Sequence, residues 1–209
     1  MSVHAVLAAA SLLAASGLVA PAGAAAATAA PGIVVLNVTG SGCRPNTITA
    51  ALSPDRTALT ILYSEYVVPA AGATKVVSKN CRINLKVEPV SGYAPTITSV
   101  DYRGFAHVAT GSVAELNATY GFHGATHIES ATLRLAGPFS DDWQARDAAE
   151  GGLVTGKCNG SNVLDVDSEL SVTSTSTGAA TDLIAMDSTD GLVPNTFHLT
   201  WKACTRHGG

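Results

Sequence analysis

Arg82-Ile83-Asn84-Leu85-Lys86-Val87-Glu88 alternates polar and apolar residues without a break. A strand with one face in a core and the other in water requires that period of two. The same pattern recurs on either side of this stretch. Leu116, Ala118, Tyr120 and Phe122 share one face, with Glu115, Asn117 and Thr119 opposite. Leu164, Val166, Leu170 and Val172 face one way, and Asp165, Asp167, Glu169 and Ser171 the other. Near the end, Phe197, Leu199 and Trp201 alternate with His198, Thr200 and Lys202. Further strand candidates are 33–39, 47–52, 57–68, 96–109, 129–136 and 181–187.

Turn signals separate these runs at Ser53-Pro54-Asp55, Ser91-Gly92, Gly137-Pro138, Asn159-Gly160 and Thr189-Asp190-Gly191. A Ser/Thr-rich patch at 171–181 reads as a strand end followed by a loop. No segment beyond the N-terminal leader holds a 3.6-residue period over two turns. The sequence therefore predicts an all-β fold: a single antiparallel β-sandwich, jelly-roll-like or Ig-like, with no substantial helix after the leader. A closed barrel is the alternative.

The leader precedes the first charged residue, Arg44. An apolar run from Val6 to Val19 leads into Pro21-Ala22-Gly23-Ala24-Ala25-Ala26, whose small residues suit signal-peptidase cleavage. The usual Lys or Arg at the start is missing, and only His4 stands there. A retained anchor is the alternative, but about 14 Ala-dominated residues fall short of the roughly 20 a span needs. The expected organisation is a signal peptide over 1–26, an N-terminal segment with the first strand over 27–39, a secreted domain over 40–204 and a tail over 205–209.

Charged residues make up 13 % of the chain, and the net charge is −4. Without a Lys/Arg cluster, a nucleic-acid partner is not expected. No membrane span is expected in the mature chain. Two Trp, five Tyr and four Phe are few for a sugar-stacking cleft. Four cysteines, Cys43, Cys81, Cys158 and Cys204, behind a secretory leader read as two disulfides. Sequential pairing, Cys43 with Cys81 and Cys158 with Cys204, is the preferred connectivity of three. The nested alternative joins Cys43 to Cys204 and Cys81 to Cys158.

Each chemical constellation has a plainer structural reading beside it. Gly156-Lys157-Cys158-Asn159-Gly160 has the spacing of a nucleophile elbow, but no helix pattern follows it and Cys158 completes the even count. His123 and His127 would lie about 13 Å apart on a strand, too far for one zinc ion, although His127 and Glu129 can meet. Asp165, Asp167 and Glu169 in a row can hold calcium, anchor a cationic partner, or form a solvated outer face. Asp187-Ser188-Thr189-Asp190-Gly191 reads as an Asx-type turn. Asp141, Asp142, Asp147 and Glu150, with Trp143 among them, supply the candidate carboxylate pair for glycoside cleavage, and a polar loop with one anchoring Trp is the plainer reading. Neither a cofactor nor a metal is called for. The sequons at Asn37, Asn117 and Asn159 matter only in a eukaryotic secretory route.

Several pieces occur together in a distinctive order: Gly40-Ser41-Gly42-Cys43, Leu52-Ser53-Pro54-Asp55-Arg56-Thr57-Ala58-Leu59-Thr60, Lys79-Asn80-Cys81-Arg82-Ile83-Asn84-Leu85 and Asp101-Tyr102-Arg103-Gly104. They continue with Gly137-Pro138, Asp142-Trp143, Cys158, 187–191 and His198-Leu199-Thr200-Trp201 before Cys204. Over about 40–204 the chain resembles the secreted fungal and actinobacterial proteins grouped as domain of unknown function 4360. Arg44, Trp143 and the loop 69–78 depart from that family's usual residues. The resemblance implies a secreted, disulfide-bonded β domain and carries over no catalytic residues.

The functional expectation is a non-enzymatic extracellular binding or structural module, with a cell-wall or surface polymer as the candidate partner. Its candidate ligand contacts are Asp101, Arg103, Trp143, Asp187 and Asp190, which also suit a structural turn network. The alternative is a secreted polysaccharide hydrolase using two acids within 141–150.

Overall fold

A computed structural model describes residues 32–72, 75–125, 128–148, 154–158, 160–175, 181–186 and 195–205. Thirteen strands are described: β1 (Ile33–Thr39), β2 (Ile48–Leu52), β3 (Ala58–Tyr63), β4 (Val67–Ala71), β5 (Lys75–Val87), β6 (Tyr93–Val108) and β7 (Val113–Phe122). The others are β8 (Glu129–Ala136), β9 (Phe139–Ala148), β10 (Val154–Thr155), β11 (Asn162–Ser174), β12 (Thr181–Ala185) and β13 (Asn195–Ala203). Among the described residues a single 3-10 turn, Pro45–Thr47, interrupts them.

The strands form two antiparallel sheets. One has five strands in the order β1-β5-β11-β7-β8. The other has eight: β2-β3-β13-β6-β12-β4 form its path, and β9 and β10 also pair with β6. At Ser99–Asp101 the long β6 is paired by β13 and β9 at once, so those strands occupy its opposite edges. The sheets are separate and open-edged, as a sandwich requires and a closed barrel does not.

Side chains alternate as the sequence predicts. Leu164, Val166, Leu170 and Val172 of β11 meet Ile83, Leu85, Leu116 and Tyr120 in the core. Facing them from the eight-stranded sheet are Leu59, Ile61, Val100, Tyr102 and Phe197. Phe197 lies edge-on to Tyr102 and to Tyr120, with ring centroids 6.2 and 5.5 Å away, so one ring bridges the two layers.

Polar ties also cross the sandwich. Tyr120 donates its hydroxyl hydrogen to Asp147 Oδ2 at 2.8 Å, joining β7 to β9. Burial, with Asp147 beside it, pushes the Tyr120 phenol far up, so it remains a donor. Asp182 of β12 accepts from the Ala109 amide at 2.6 Å and from the Ser112 and Ser174 hydroxyls at 2.8 and 2.6 Å. Tyr66 sits 3.0 Å from the carbonyl oxygens of Lys79 and Ser168, and burial raises its phenol to about 12. Gly42 leaves room for that ring: a Cβ there would lie 2.2 Å from Tyr66 Cε2.

The disulfides join Cys43 to Cys81 and Cys158 to Cys204, which is the sequential pairing. The first ties the segment after β1 to β5. The second ties the end of β13 to the link between β10 and β11.

Three stretches differ from the sequence expectation. The loop 69–78 is largely taken up by the end of β4 and the start of β5. The candidate strand 57–68 is two strands, broken at Ser64-Glu65-Tyr66 where Tyr66 turns into the core. The stretch 139–148, read as a polar loop, is β9. Its alternation is hidden because an inward position holds an acid, Asp147, which Tyr120 satisfies.

Candidate functional site

The outward side chains of the five-stranded sheet form a polar grid. Pairing between β5, β11, β7 and β8 aligns Arg82–Asp167–Thr119–Ser130 as one row. The next row is Asn80–Glu169–Asn117–Thr132. Directly opposed residues on neighbouring strands have Cβ atoms about 5 Å apart, and the two rows are about 6.6 Å apart along each strand. These rows line a groove of about 350 Å³. A smaller depression of about 140 Å³ continues from it through Thr119 and Asp167 to Asp165, His123 and Ile128.

The groove is lined mostly by polar residues, none of them aromatic. Arg82 and Asp167 form an ion pair, which raises the already high Arg82 value. Asn80 accepts from the Ser41 amide and hydroxyl, at 3.2 and 3.0 Å, so Asn80 is fixed from outside the groove. Asp165 accepts from Asn84 Nδ2 at 2.6 Å and from His123 Nδ1 at 3.3 Å. Among the described residues, Glu169, Asn117, Thr119, Ser130 and Thr132 make no side-chain hydrogen bond to the protein. Their donors and acceptors therefore face solvent on a rigid four-strand floor, available to a ligand.

The three acids of β11 thus have different roles, and no group of three acidic, histidine or cysteine ligands among the described residues is placed to hold a metal. The sequons Asn37 and Asn117 both lie on this outer face, where Asn37 Nδ2 donates to Asn84 at 3.3 Å. Asn159 and His127 lie outside the described residues.

Asp101 and Arg103 stand on the other outer face, on β6. Asp101 is an outward residue that is nonetheless only 5 % exposed. Arg146 Nη1 donates to both its carboxylate oxygens, at 2.9 and 3.0 Å, from β9. His198 Nε2 donates to it at 2.8 Å from β13. Burial acts to raise the Asp101 carboxyl, but His198 and Arg146 outweigh it and hold the group below the usual carboxylate range. The Arg103 amide donates to Asn195 Oδ1 at 2.7 Å.

Trp143 is not at the surface. It is 4 % exposed and lies over Gly104, its cross-strand partner. A Cβ on Gly104 would come within 2.6 Å of Trp143 Cζ2 and 1.9 Å of the Ala185 carbonyl oxygen. The expectation that Trp143 contacts a ligand is therefore corrected: the ring is core, placed inward by the parity of β9. Asp187 and Asp190 fall outside the described residues.

The acids proposed for hydrolysis are dispersed. Asp141 and Asp142 are successive residues of β9 and project from opposite faces. Asp147 lies about 20 Å from Asp141 along the strand and is bonded to Tyr120. Glu150 is outside the described residues. Cys158 is a half-cystine with no free thiol.

The sequence singled out only part of the groove. It exposed the β11 acids as one polar face but gave no sign that Asn80, Asn117, Ser130 and Thr132 stand beside them. Their outward parity is legible, whereas the strand order that makes them neighbours is not.

Fold, disulfides and the polar outer sheet define a class: a secreted, disulfide-bonded antiparallel β-sandwich. A family model for Domain of unknown function (DUF4360) matches residues 29–204, and the chain belongs to that family. An "Uncharacterized secreted protein" of Arthroderma benhamiae is 29% identical over 176 residues, covering 83% of this chain and 71% of that relative. A solved structure of TmCBM61 in complex with beta-1,4-galactotriose aligns over 80% of this chain and 87% of its own. Its TM-score of 0.30 and 9% identity are too low to carry an argument about fold or ligand. Among the described residues no helix is long and apolar enough to cross a membrane.

Proposed function

We propose that the protein is a non-enzymatic extracellular binding module, and that its ligand is a hydroxyl-rich cell-wall or surface polysaccharide held in the groove of the five-stranded sheet. One observation supports this most: Asn117, Thr119, Ser130, Thr132 and Glu169 present unengaged hydrogen-bonding groups in an ordered, aromatic-free depression. Such a surface suits a ligand dense in donors and acceptors. Exposed strand-borne side chains also need little reorganisation to bind. We further propose that residues 1–26 are the cleaved leader of the secreted chain.

The test is co-sedimentation with insoluble cell-wall polysaccharides, together with titration of soluble oligosaccharides. Asn117→Ala combined with Thr132→Ala removes two groove groups that make no bond to the fold. Binding should fall at least about tenfold, the loss of about one net hydrogen bond or more, with an unchanged melting temperature. Unaltered binding by this variant, or none by the parent across the panel, overturns the reading.

A further inference from the structure

The groove's charge extends that reading to a class of sugar, and the inference rests on the groove being a glycan site. Three charged side chains line the groove: Arg82, Asp167 and Glu169. Arg82 and Asp167 neutralise one another. Glu169 stands between Asn80 and Asn117 in its row, without an ion-pair partner among the described residues. The groove therefore carries one uncompensated negative charge flanked by amides. We infer that it selects glycans bearing free amino groups, polymers of 2-amino-2-deoxy sugars, with Glu169 accepting from the sugar ammonium while Asn117, Thr119 and Thr132 bond its hydroxyls.

Two physical arguments favour this ligand over other sugars. Neutral glycans commonly gain affinity by laying a ring on an aromatic face, and this lining has none to offer. Hydrogen bonds to an ionised partner are roughly twice as strong as neutral ones, so a charged contact supplies what stacking does not. Acidic glycans meet a charge of their own sign and are repelled. A basic peptide shares the charge but lacks the hydroxyls that the Asn and Thr groups would meet. Nor can it add as a strand to β5, β11 or β7, each of which already has a neighbour on both sides.

The test is calorimetric titration of the secreted protein with a glucosamine hexamer, an N-acetylglucosamine hexamer, a uronic-acid hexamer and hexalysine. The glucosamine hexamer should bind at least about tenfold tighter than its acetylated counterpart at low salt, and the preference should shrink at 0.5 M salt. Glu169→Gln should remove the preference, bringing the two hexamers to equal affinity, with an unchanged melting temperature. Equal affinity for the two hexamers, or a preference that survives Glu169→Gln, overturns the inference; if Asn117→Ala with Thr132→Ala still abolishes binding, the glycan reading stands alone. Hexalysine binding as tightly as the glucosamine hexamer overturns both the inference and the glycan reading. No binding by any of the four overturns the inference as well.

Discussion

The two outer faces of the sandwich treat the same kind of residue in opposite ways. Asp167 and Glu169 on the five-stranded sheet and Asp101 on the eight-stranded sheet are all outward carboxylates. Asp101 is enclosed by Arg146, His198 and Gln144 from the strands on both sides. Glu169 has amide and hydroxyl neighbours that leave it open. A surface carboxylate thus becomes structural when long side chains on both flanking strands reach over it. It remains available when the flanking side chains are short.

The largest test of this contrast is the disulfides, one beside each sheet. Reducing either loop of 38 or 46 residues to a cysteine-free variant should cost about 4 kcal/mol on the chain-entropy model. Chemical denaturation of Cys43→Ala with Cys81→Ala should also show weaker groove binding, because Cys81 lies in the groove wall. Equal ligand affinity with and without that bridge would show that the groove is rigid on its own.

Next in size is Asp101→Ala, expected to lose about 2 kcal/mol. Asp101 is buried, but Arg146 can turn to water once released. A loss below about 0.5 kcal/mol would remove the distinction between the two faces.

Acid titration sharpens the same point. Asp101 and Asp182 both have carboxyls held low, Asp182 by the Ser174 hydroxyl, the Ala109 amide and the Ser112 hydroxyl against the opposing effect of burial. Their stabilisation is fully present above the unfolded carboxylate value, about 3.9, and is lost as pH falls through the lower folded values. Asp101→Asn and Asp182→Asn should each flatten the decline in unfolding free energy below about pH 4. A parallel decline in wild type and both variants would refute the assignment.

The smallest expected effect belongs to the groove. Asp167→Ala removes an exposed ion pair and should change stability by less than about 0.5 kcal/mol. A loss comparable to that of Asp101→Ala would mean that the groove face is structural too.

The stretches from Arg82, Leu116, Leu164 and Phe197 were legible because apolar residues occupy nearly every inward position, the buried Ser168 of β11 being an exception. β9 was not, since Asp147 sits inward and its acceptability depends on Tyr120, 27 residues away in sequence. Trp143 looked like a ligand contact for the same reason: its acidic neighbours suggested a surface loop. The acids of β11 were visible as a face. Their grouping with Asn80, Asn117 and Thr132 was not.

By itself, then, the chain determined its export-type cysteines and, outside β9, the alternation and parity of its main strands, because these depend on neighbours one or two positions away. Tertiary structure alone decided which outward residues share a row and which carboxylates are enclosed. Strand order is set by how the whole set of apolar faces packs, and residues far apart in sequence become neighbours only then. The open Glu169 and the enclosed Asp101 differ for that reason and not by any local signal.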